Sequence, residues 1–127
     1  MPIYKNRWFD KFARRERIAD ASLHEEIKRA ESGLIDADLG GGLIKQRVAR
    51  EGEGRSGGYR TIIVFRSKDR AIFVLGFAKN DRANISAGDL AILRAAAKIT
   101  LSFTLDELEI EAENGNLIEV RNDDENL

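Results

Sequence analysis

A run of eight apolar residues, residues 71–78, constrains the fold of this 127-residue chain more than any other feature of its sequence. Eight residues are too few to cross a membrane as a helix, which takes about 20. The run is apolar at odd and even positions alike. A strand of that kind is buried on both faces, because successive side chains point to opposite sides of a sheet. Residues 71–79 are therefore predicted to form a central strand.

Two further strands are predicted immediately before this one. Residues 43–49 alternate between a mostly apolar and a mostly basic set of side chains, which is typical of a strand with one buried face. Residues 59–66 are rich in β-branched and aromatic residues, and a short polar turn joins them to residues 71–79 as a hairpin. We expect these three segments to be adjacent antiparallel strands.

Four helices are predicted, two before the strands and two after them, at residues 7–18, 22–32, 86–102 and 104–114. Apolar residues recur at helical spacing in the first of them. Each of the other three begins with Ser or Thr followed three residues later by an acidic residue, the pattern of a capping box, at Ser22, Ser86 and Thr104. The first two helices are expected to form an αα-hairpin.

The order of these elements predicts an α+β fold. Weaker patterns add short strands at residues 2–5 and 117–120. Residues 1–121 are long enough for a single domain with its own core. Residues 122–127 are polar and mostly acidic, and we expect them to form a flexible tail.

Charge is distributed unevenly along the chain, although the net charge is −1 and the pI about 5.9. Residues 44–82 carry ten basic and four acidic residues, a net charge of +6, whereas residues 83–127 have a net charge of −7. A local field of this size can attract a polyanion in spite of the acidic total.

Composition excludes several classes of chemistry. The chain has no cysteine, which excludes disulfides and thiolate catalysis. Its one histidine, His24, falls inside the second predicted helix, so a ribonuclease mechanism with paired histidines is excluded. The sequence contains no cluster of residues at metal-ligand spacing, and we expect no metal or other cofactor. We expect a cytoplasmic protein without a membrane segment.

A glycine-rich segment at residues 52–57 matches the pattern G-x-G-x-x-G. A dinucleotide site needs a helix after this pattern, and here a strand follows. We interpret the segment as a loop that carries Arg50 and Arg55 and can close on a polyanion.

The strongest candidate site is a set of basic residues at the predicted strands and their ends: Lys45, Arg47, Arg60, Lys79 and Arg82. Lys45 and Arg47 share one strand face because they are two residues apart. If the three strands are neighbours, these side chains gather on one surface. The alternative is that they are the ordinary surface charges of an α+β domain.

Short segments of the same region resemble the RelE/HigB-like toxins of bacterial toxin–antitoxin modules: GGLIKQR at 41–47, GGYR at 57–60, and GFAK at 76–79 followed by Asn84 and Ile85. The resemblance implies a small α+β fold with a twisted, mainly antiparallel sheet, helices packed on one face and a concave basic surface on the other. It implies cleavage of mRNA in the ribosomal A site, and a cognate antitoxin, expected to be of the helix-turn-helix type, that blocks this activity.

This resemblance gives the basic residues roles in attack by a ribose 2′-hydroxyl on the adjacent phosphate. Arg60 and Arg82 are expected to stabilise the charged transition state, and Lys79 to transfer a proton. Predicted contacts to flanking RNA are Lys45, Arg47, Arg50, Arg55 and Tyr59. Tyr59 is equally consistent with a core residue, because it alternates with apolar neighbours. Two other functions stay open, a non-catalytic nucleic-acid-binding module and a ParE-like inhibitor of gyrase.

Overall fold

The computed structural model of the chain describes residues 1–50, 54–79 and 84–121, with only the backbone at residues 55 and 56. Their elements in chain order are β1 (Ile3–Asn6), α1 (Arg7–Arg15), α2 (Asp20–Glu31), β2 (Ala37–Gly40), β3 (Leu43–Arg50), β4 (Gly54–Arg66), β5 (Arg70–Ala78), α3 (Ala87–Ser102), α4 (Leu105–Glu113) and β6 (Leu117–Glu119).

Six strands form one sheet in the order β2-β3-β4-β5-β1-β6. The predicted antiparallel arrangement of β3, β4 and β5 is confirmed. The predicted N-terminal strand is also present, but it lies inside the sheet, parallel to β5 and antiparallel to β6. Its residues Ile3, Tyr4 and Lys5 are all buried, which agrees with this internal position. The α+β class and the mainly antiparallel sheet are therefore confirmed.

The two helix pairs cover opposite faces of the sheet. Phe9 of α1 and Ile27 of α2 pack with Phe73 on one face, in a cluster that also contains Ile63. Ala97 of α3 and Leu108 of α4 pack on the other face, in a cluster with Ile62, Val64 and Ile72. This differs from the expected location of all helices on one face. The reason is that β4 and β5 are apolar on both sides, so that each face needs a cover.

Two of the predicted helix starts are confirmed at the level of single hydrogen bonds. Ser86 caps α3, because its hydroxyl accepts a bond of 3.1 Å from the Asp89 N–H. Thr104 and Glu107 form a complete capping box at the start of α4, each side chain accepting from the other residue's N–H. Local sequence therefore fixes where these two helices begin.

The predicted cap at Ser22 is wrong, because α2 begins two residues earlier, at Asp20. The Asp20 carboxylate accepts hydrogen bonds from Lys5 Nζ at 3.0 Å and from the Arg121 N–H at 2.9 Å. Ala19, at the cap position, offers no side-chain bond. Contacts with distant parts of the chain, rather than a local cap, set the start of α2.

Two arginines of the β4–β5 hairpin hold the C-terminal end of α3. Arg66 Nη2 donates to the Leu101 carbonyl at 3.1 Å, and Arg70 Nη1 donates to the carbonyls of Thr100, at 3.0 Å, and Phe103. Cations are favoured at this end of a helix because its last carbonyls carry partial negative charge. The hairpin thus fixes α3 over one end of the sheet.

Burial at the other end of that sheet face is less uniform. Under α3, Leu43, Val64 and Ile72 are at most 1% exposed. Towards the other end of the same strands, Arg47 is exposed and Arg60 is half-buried. At the end where β3 and β5 finish, Arg47 is therefore accessible to a ligand, whereas Phe77 beside Arg60 is buried.

Candidate nucleic-acid interface

Two arginines face each other across β3 and β4. Arg47 is the direct cross-strand partner of Arg60, and Lys45 lies two residues before Arg47 on the same face. Cβ atoms of directly opposed residues lie about 5 Å apart, and like charges at this separation destabilise a sheet. We call these three residues the basic face. An anion bound between them offsets the repulsion, which makes the arrangement suited to a phosphate.

The backbone beneath Arg60 is closely packed. A Cβ atom at Gly58 would lie 2.0 Å from the Val48 carbonyl oxygen, so only glycine fits there. Arg60 Nη1 donates to the Gly58 carbonyl at 3.0 Å, which fixes the position of the guanidinium group. Its neighbour on β5 is the buried Phe77, so the guanidinium stands beside an apolar surface. A charge that is partly shielded from water binds a phosphate more strongly than a fully solvated one.

Of the other two predicted catalytic residues, the structure describes Lys79 but not Arg82. Lys79 is exposed and directly follows Ala78, the last residue of β5, which pairs with Tyr59. It thus lies at the same end of the sheet as Arg60. Arg82 lies outside the described residues. Arg55 belongs to β4, and its side chain is outside the described part of the structure. The predicted convergence of Arg60, Lys79 and Arg82 stays a prediction.

Tyr59 and Arg50 are on the opposite side of the sheet from the basic face. The Tyr59 ring is 3% exposed and packs edge-on against Phe12, with ring centroids 5.5 Å apart. Its hydroxyl donates to Glu16 Oε1 at 3.1 Å. The Arg50 guanidinium lies over the same ring, 5.4 Å from its centroid. Tyr59 is thus a core residue, the second of the two interpretations that its alternation leaves open.

The other tyrosine, Tyr4, and the histidine, His24, are also away from the basic face. Tyr4 is 5% exposed in the core beneath α3 and α4, and burial, with Glu109 and Glu119 nearby, raises its pKa. His24 lies in α2, as predicted, on the other side of the sheet. Among the residues that the structure describes, no group of three His, Asp or Glu side chains could hold a metal ion.

A second group of arginines contains Arg50, a predicted RNA contact, and two residues that were not predicted as site residues. Arg15 and Arg17, at the end of α1, line a cleft of about 720 Å³ together with Arg50. The sequence gives little indication of it, because these residues come from segments more than 30 positions apart. The backbone at Arg17, with φ of +57°, is the feature that makes the cleft unusual.

Comparison with known proteins agrees with the resemblance seen in the sequence. No curated protein sequence matches the chain. Residues 1–120 match the family described as the RelE toxin of the RelE/RelB toxin–antitoxin system. In the described part of the chain, no helix is both long and apolar enough to cross a membrane. The family match extends over nearly the whole chain, and the toxins of this family pair with an antitoxin. The chain therefore belongs to the RelE toxin family and is the toxin component of a toxin–antitoxin system.

Proposed function

We propose that this toxin is a metal-independent endoribonuclease that cleaves mRNA on the ribosome and so inhibits translation in the cytoplasm. Toxins of the family are generally ribosome-dependent mRNA endoribonucleases. The observation that carries the proposal is the direct pairing of Arg47, which is exposed, with the half-buried Arg60, with Lys45 beside them. Such a concentration of opposed cations is suited to the phosphates of an RNA strand.

The proposed reaction uses the RNA itself as the nucleophile. The 2′-hydroxyl loses its proton and attacks the adjacent phosphorus, a pentacoordinate dianion forms, and the bond to the 5′ oxygen breaks as that oxygen gains a proton. The products are a 2′,3′-cyclic phosphate and a 5′-hydroxyl. Atoms and charge balance without a metal or a second substrate.

Each basic residue has a part in this scheme. Arg60 contacts the reacting phosphate and stabilises its added negative charge, because a guanidinium stays charged and presents a fork of donors. Lys79, which is exposed at the same end of the sheet, transfers the proton. Arg82 is proposed as a second cation at the phosphate. Lys45 and Arg47 bind the flanking phosphates, and Arg55 is proposed to add a contact from β4.

The proposed partners are the ribosome with its mRNA and an antitoxin of the helix-turn-helix type. An antitoxin that covers the basic face would block the site, and its negative charge would complement the three cations. The nature of the neighbouring gene product tests this part of the proposal directly.

A non-catalytic function is the second candidate, and one observation favours it. Tyr4, Tyr59 and His24, the only tyrosines and histidine of the chain, all lie away from the basic face. A protein with this arrangement could bind RNA or a protein target, as a ParE-like toxin does, without cleaving RNA.

Cleavage of mRNA by translating ribosomes separates the two candidates. The purified toxin is added to a translation reaction, and the cleaved ends are mapped for the wild type, Arg60→Ala and Lys79→Ala, with Lys68→Ala as the control. Lys68 lies in the β4–β5 turn, at the opposite end of the hairpin from the basic face. We expect Arg60→Ala and Lys79→Ala each to lower the rate at least 100-fold and Lys68→Ala to have no effect. Growth inhibition without RNA cleavage would reject the ribonuclease.

A further inference from the structure

The cleft at the end of α1 is rich in positive charge. We call it the α1 cleft, and its charged residues are Arg15, Glu16, Arg17 and Arg50. Glu16 is engaged twice, because its carboxylate accepts from Arg15 Nε at 3.2 Å and from the Tyr59 hydroxyl at 3.1 Å. Among the residues that the structure describes, neither Arg17 nor Arg50 has a carboxylate partner. The described charged residues that line the α1 cleft are thus three guanidinium groups and one carboxylate, with a net charge of +2.

The backbone at Arg17 has a conformation that usually requires glycine. The Ile18 N–H donates to the Ala13 carbonyl at 2.8 Å, and the Arg17 N–H donates to the Arg14 carbonyl at 3.3 Å. These two bonds make a Schellman motif, whose left-handed position is commonly glycine. Here it is Arg17, with φ of +57°. Position 17 thus carries backbone strain, and, unlike Lys68, which has a similar φ, its cationic side chain lines a cleft.

Aromatic rings underlie the other arginines of the α1 cleft. The Arg15 guanidinium lies over the Phe12 ring, 5.6 Å from its centroid, as Arg50 lies over Tyr59. Trp8 stacks on Phe12 with an interplanar angle of 13° and is 47% exposed. Arginines combined with an exposed aromatic ring are typical of surfaces that bind single-stranded nucleic acid. An acidic peptide would need the cations but not the ring.

The α1 cleft is connected to the basic face around the edge of β3. Strand β2 pairs with β3 only as far as Lys45, so within the described residues the segment 46–50 has no strand on its outer side. Arg47 and Arg50 are about 10 Å apart along this segment, at 3.3 Å per residue, and point to opposite faces. Ala49, between them, lines the α1 cleft. On this outer side the Asp36 carboxylate accepts a hydrogen bond from the Arg47 N–H at 2.7 Å, and an extended strand can pass from one face to the other beyond it, over Ala49.

We propose that the α1 cleft is a second RNA-binding site, which holds the backbone of the same single strand whose phosphate lies at the basic face. The proposal rests on the proposed function for the identity of the ligand, although it requires binding and not cleavage. Arg17 and Arg50 bind phosphates in the cleft, and Trp8 stacks on a base. The RNA bends around the end of β3 between the two sites.

A pair of matched variants tests the α1 cleft. Arg17→Gly and Lys68→Gly each remove one cation from a residue with positive φ, +57° and +61°. Both should fold at least as stably as the wild type, since glycine relieves the strained backbone. The probe is a fluorescein-labelled 12-nucleotide RNA with 2′-O-methyl groups throughout, which cannot be cleaved by 2′-hydroxyl attack. Affinity is measured by anisotropy between 50 and 200 mM salt.

We expect Arg17→Gly to weaken binding about tenfold and to lower the slope of log affinity against log salt by about 1, as for the loss of one phosphate contact. Lys68→Gly should bind within twofold of the wild type. Equal affinity for Arg17→Gly and the wild type would overturn the proposal. So would failure of the wild type to bind this RNA at 50 mM salt, or a loss of antitoxin binding by Arg17→Gly with RNA affinity unchanged.

The outcome separates this proposal from the proposed ribonuclease. If the wild type cleaves no RNA but Arg17→Gly loses RNA affinity, the result supports the α1 cleft as an RNA site and rejects the nuclease. If the wild type cleaves RNA and Arg17→Gly binds RNA as tightly as the wild type, the result supports the nuclease and rejects the second RNA site.

Discussion

Substitution of Arg70 by methionine should release the C-terminal end of α3. The Arg70 side chain is only 4% exposed and donates to the carbonyls of Thr100 and Phe103. A hydrogen bond from a charged donor contributes about 1.5–3 kcal/mol. Both bonds to the helix are lost, together with the ion pair between Arg70 and the partly exposed Asp69, but water reaches the freed carbonyls and the carboxylate. We therefore expect a loss of about 3 kcal/mol in the free energy of unfolding, because methionine retains most of the apolar contact.

Arg66 supplies a matched control for this change. It also donates to a carbonyl at the end of α3, that of Leu101, but its side chain is 50% exposed. Solvent screening reduces the contribution of such a contact to about 0.5 kcal/mol. Arg66→Met and Arg70→Met therefore remove the same charge from the same hairpin and differ mainly in burial.

Thermal unfolding followed by circular dichroism measures both variants. The entropy of unfolding is about 2.1 cal/mol/K per residue, or about 0.27 kcal/mol/K for this chain. The Tm should fall by about 11 °C for Arg70→Met and by about 2 °C for Arg66→Met. Hydrogen exchange in α3 should accelerate only in the first of them. Equal shifts for the two variants, or a shift below 3 °C for Arg70→Met, would refute the assignment of α3 docking to the buried arginine.

Three further outcomes are expected. Gly76→Ala should destabilise the fold by about 1–3 kcal/mol in urea unfolding, because the new Cβ would lie 2.4 Å from the Phe12 ring; an unchanged midpoint would contradict this packing. Burial and nearby carboxylates raise the pKa of Tyr4 above its ordinary value of 10. The stability that the neutral Tyr4 hydroxyl contributes is therefore complete below pH 10 and is lost as the pH rises through the pKa of the folded protein. Tyr4→Phe should therefore lose less stability than the wild type between pH 9 and 11, and parallel curves for the two proteins would count against it. RNA affinity should fall with salt at a log–log slope of at least about −2 in magnitude, as expected for the three cations of the basic face on a single strand, and a flat dependence would exclude the basic face as an RNA site.

Period-two patterns in the sequence predicted the centre of the sheet well. Residues 43–49, 59–66 and 71–79 alternate or are continuously apolar, and each is a strand in the expected order. The four-residue strand β2 was not predicted, because Ala37–Gly40 contains an aspartate and a glycine, which are rare in strands. Its place in the sheet comes from pairing with β3 and not from its own composition.

The candidate site was predictable in part. Adjacent residues of a strand point to opposite faces, so the separation of Tyr59 from Arg60 follows from their numbers alone. The pairing of Arg47 with Arg60 depends on strand register, which no local pattern specifies. The α1 cleft was beyond prediction, because a left-handed arginine at position 17 has no distinguishing sequence pattern. Tertiary contacts, and not local propensity, determine these features.

The central claim is that the basic face promotes attack by the 2′-hydroxyl of RNA, and a substrate with a single atom removed tests it most directly. The cleavage site is first mapped on an mRNA bound to ribosomes, and the nucleotide on its 5′ side is then replaced by its 2′-deoxy form. Wild-type toxin should leave a 2′,3′-cyclic phosphate and a 5′-hydroxyl on the unmodified mRNA and should not cleave the deoxy substrate at that site. Arg60→Ala should cleave neither. Cleavage of the deoxy substrate at the same position, or a 5′-phosphate on the product, would contradict the mechanism.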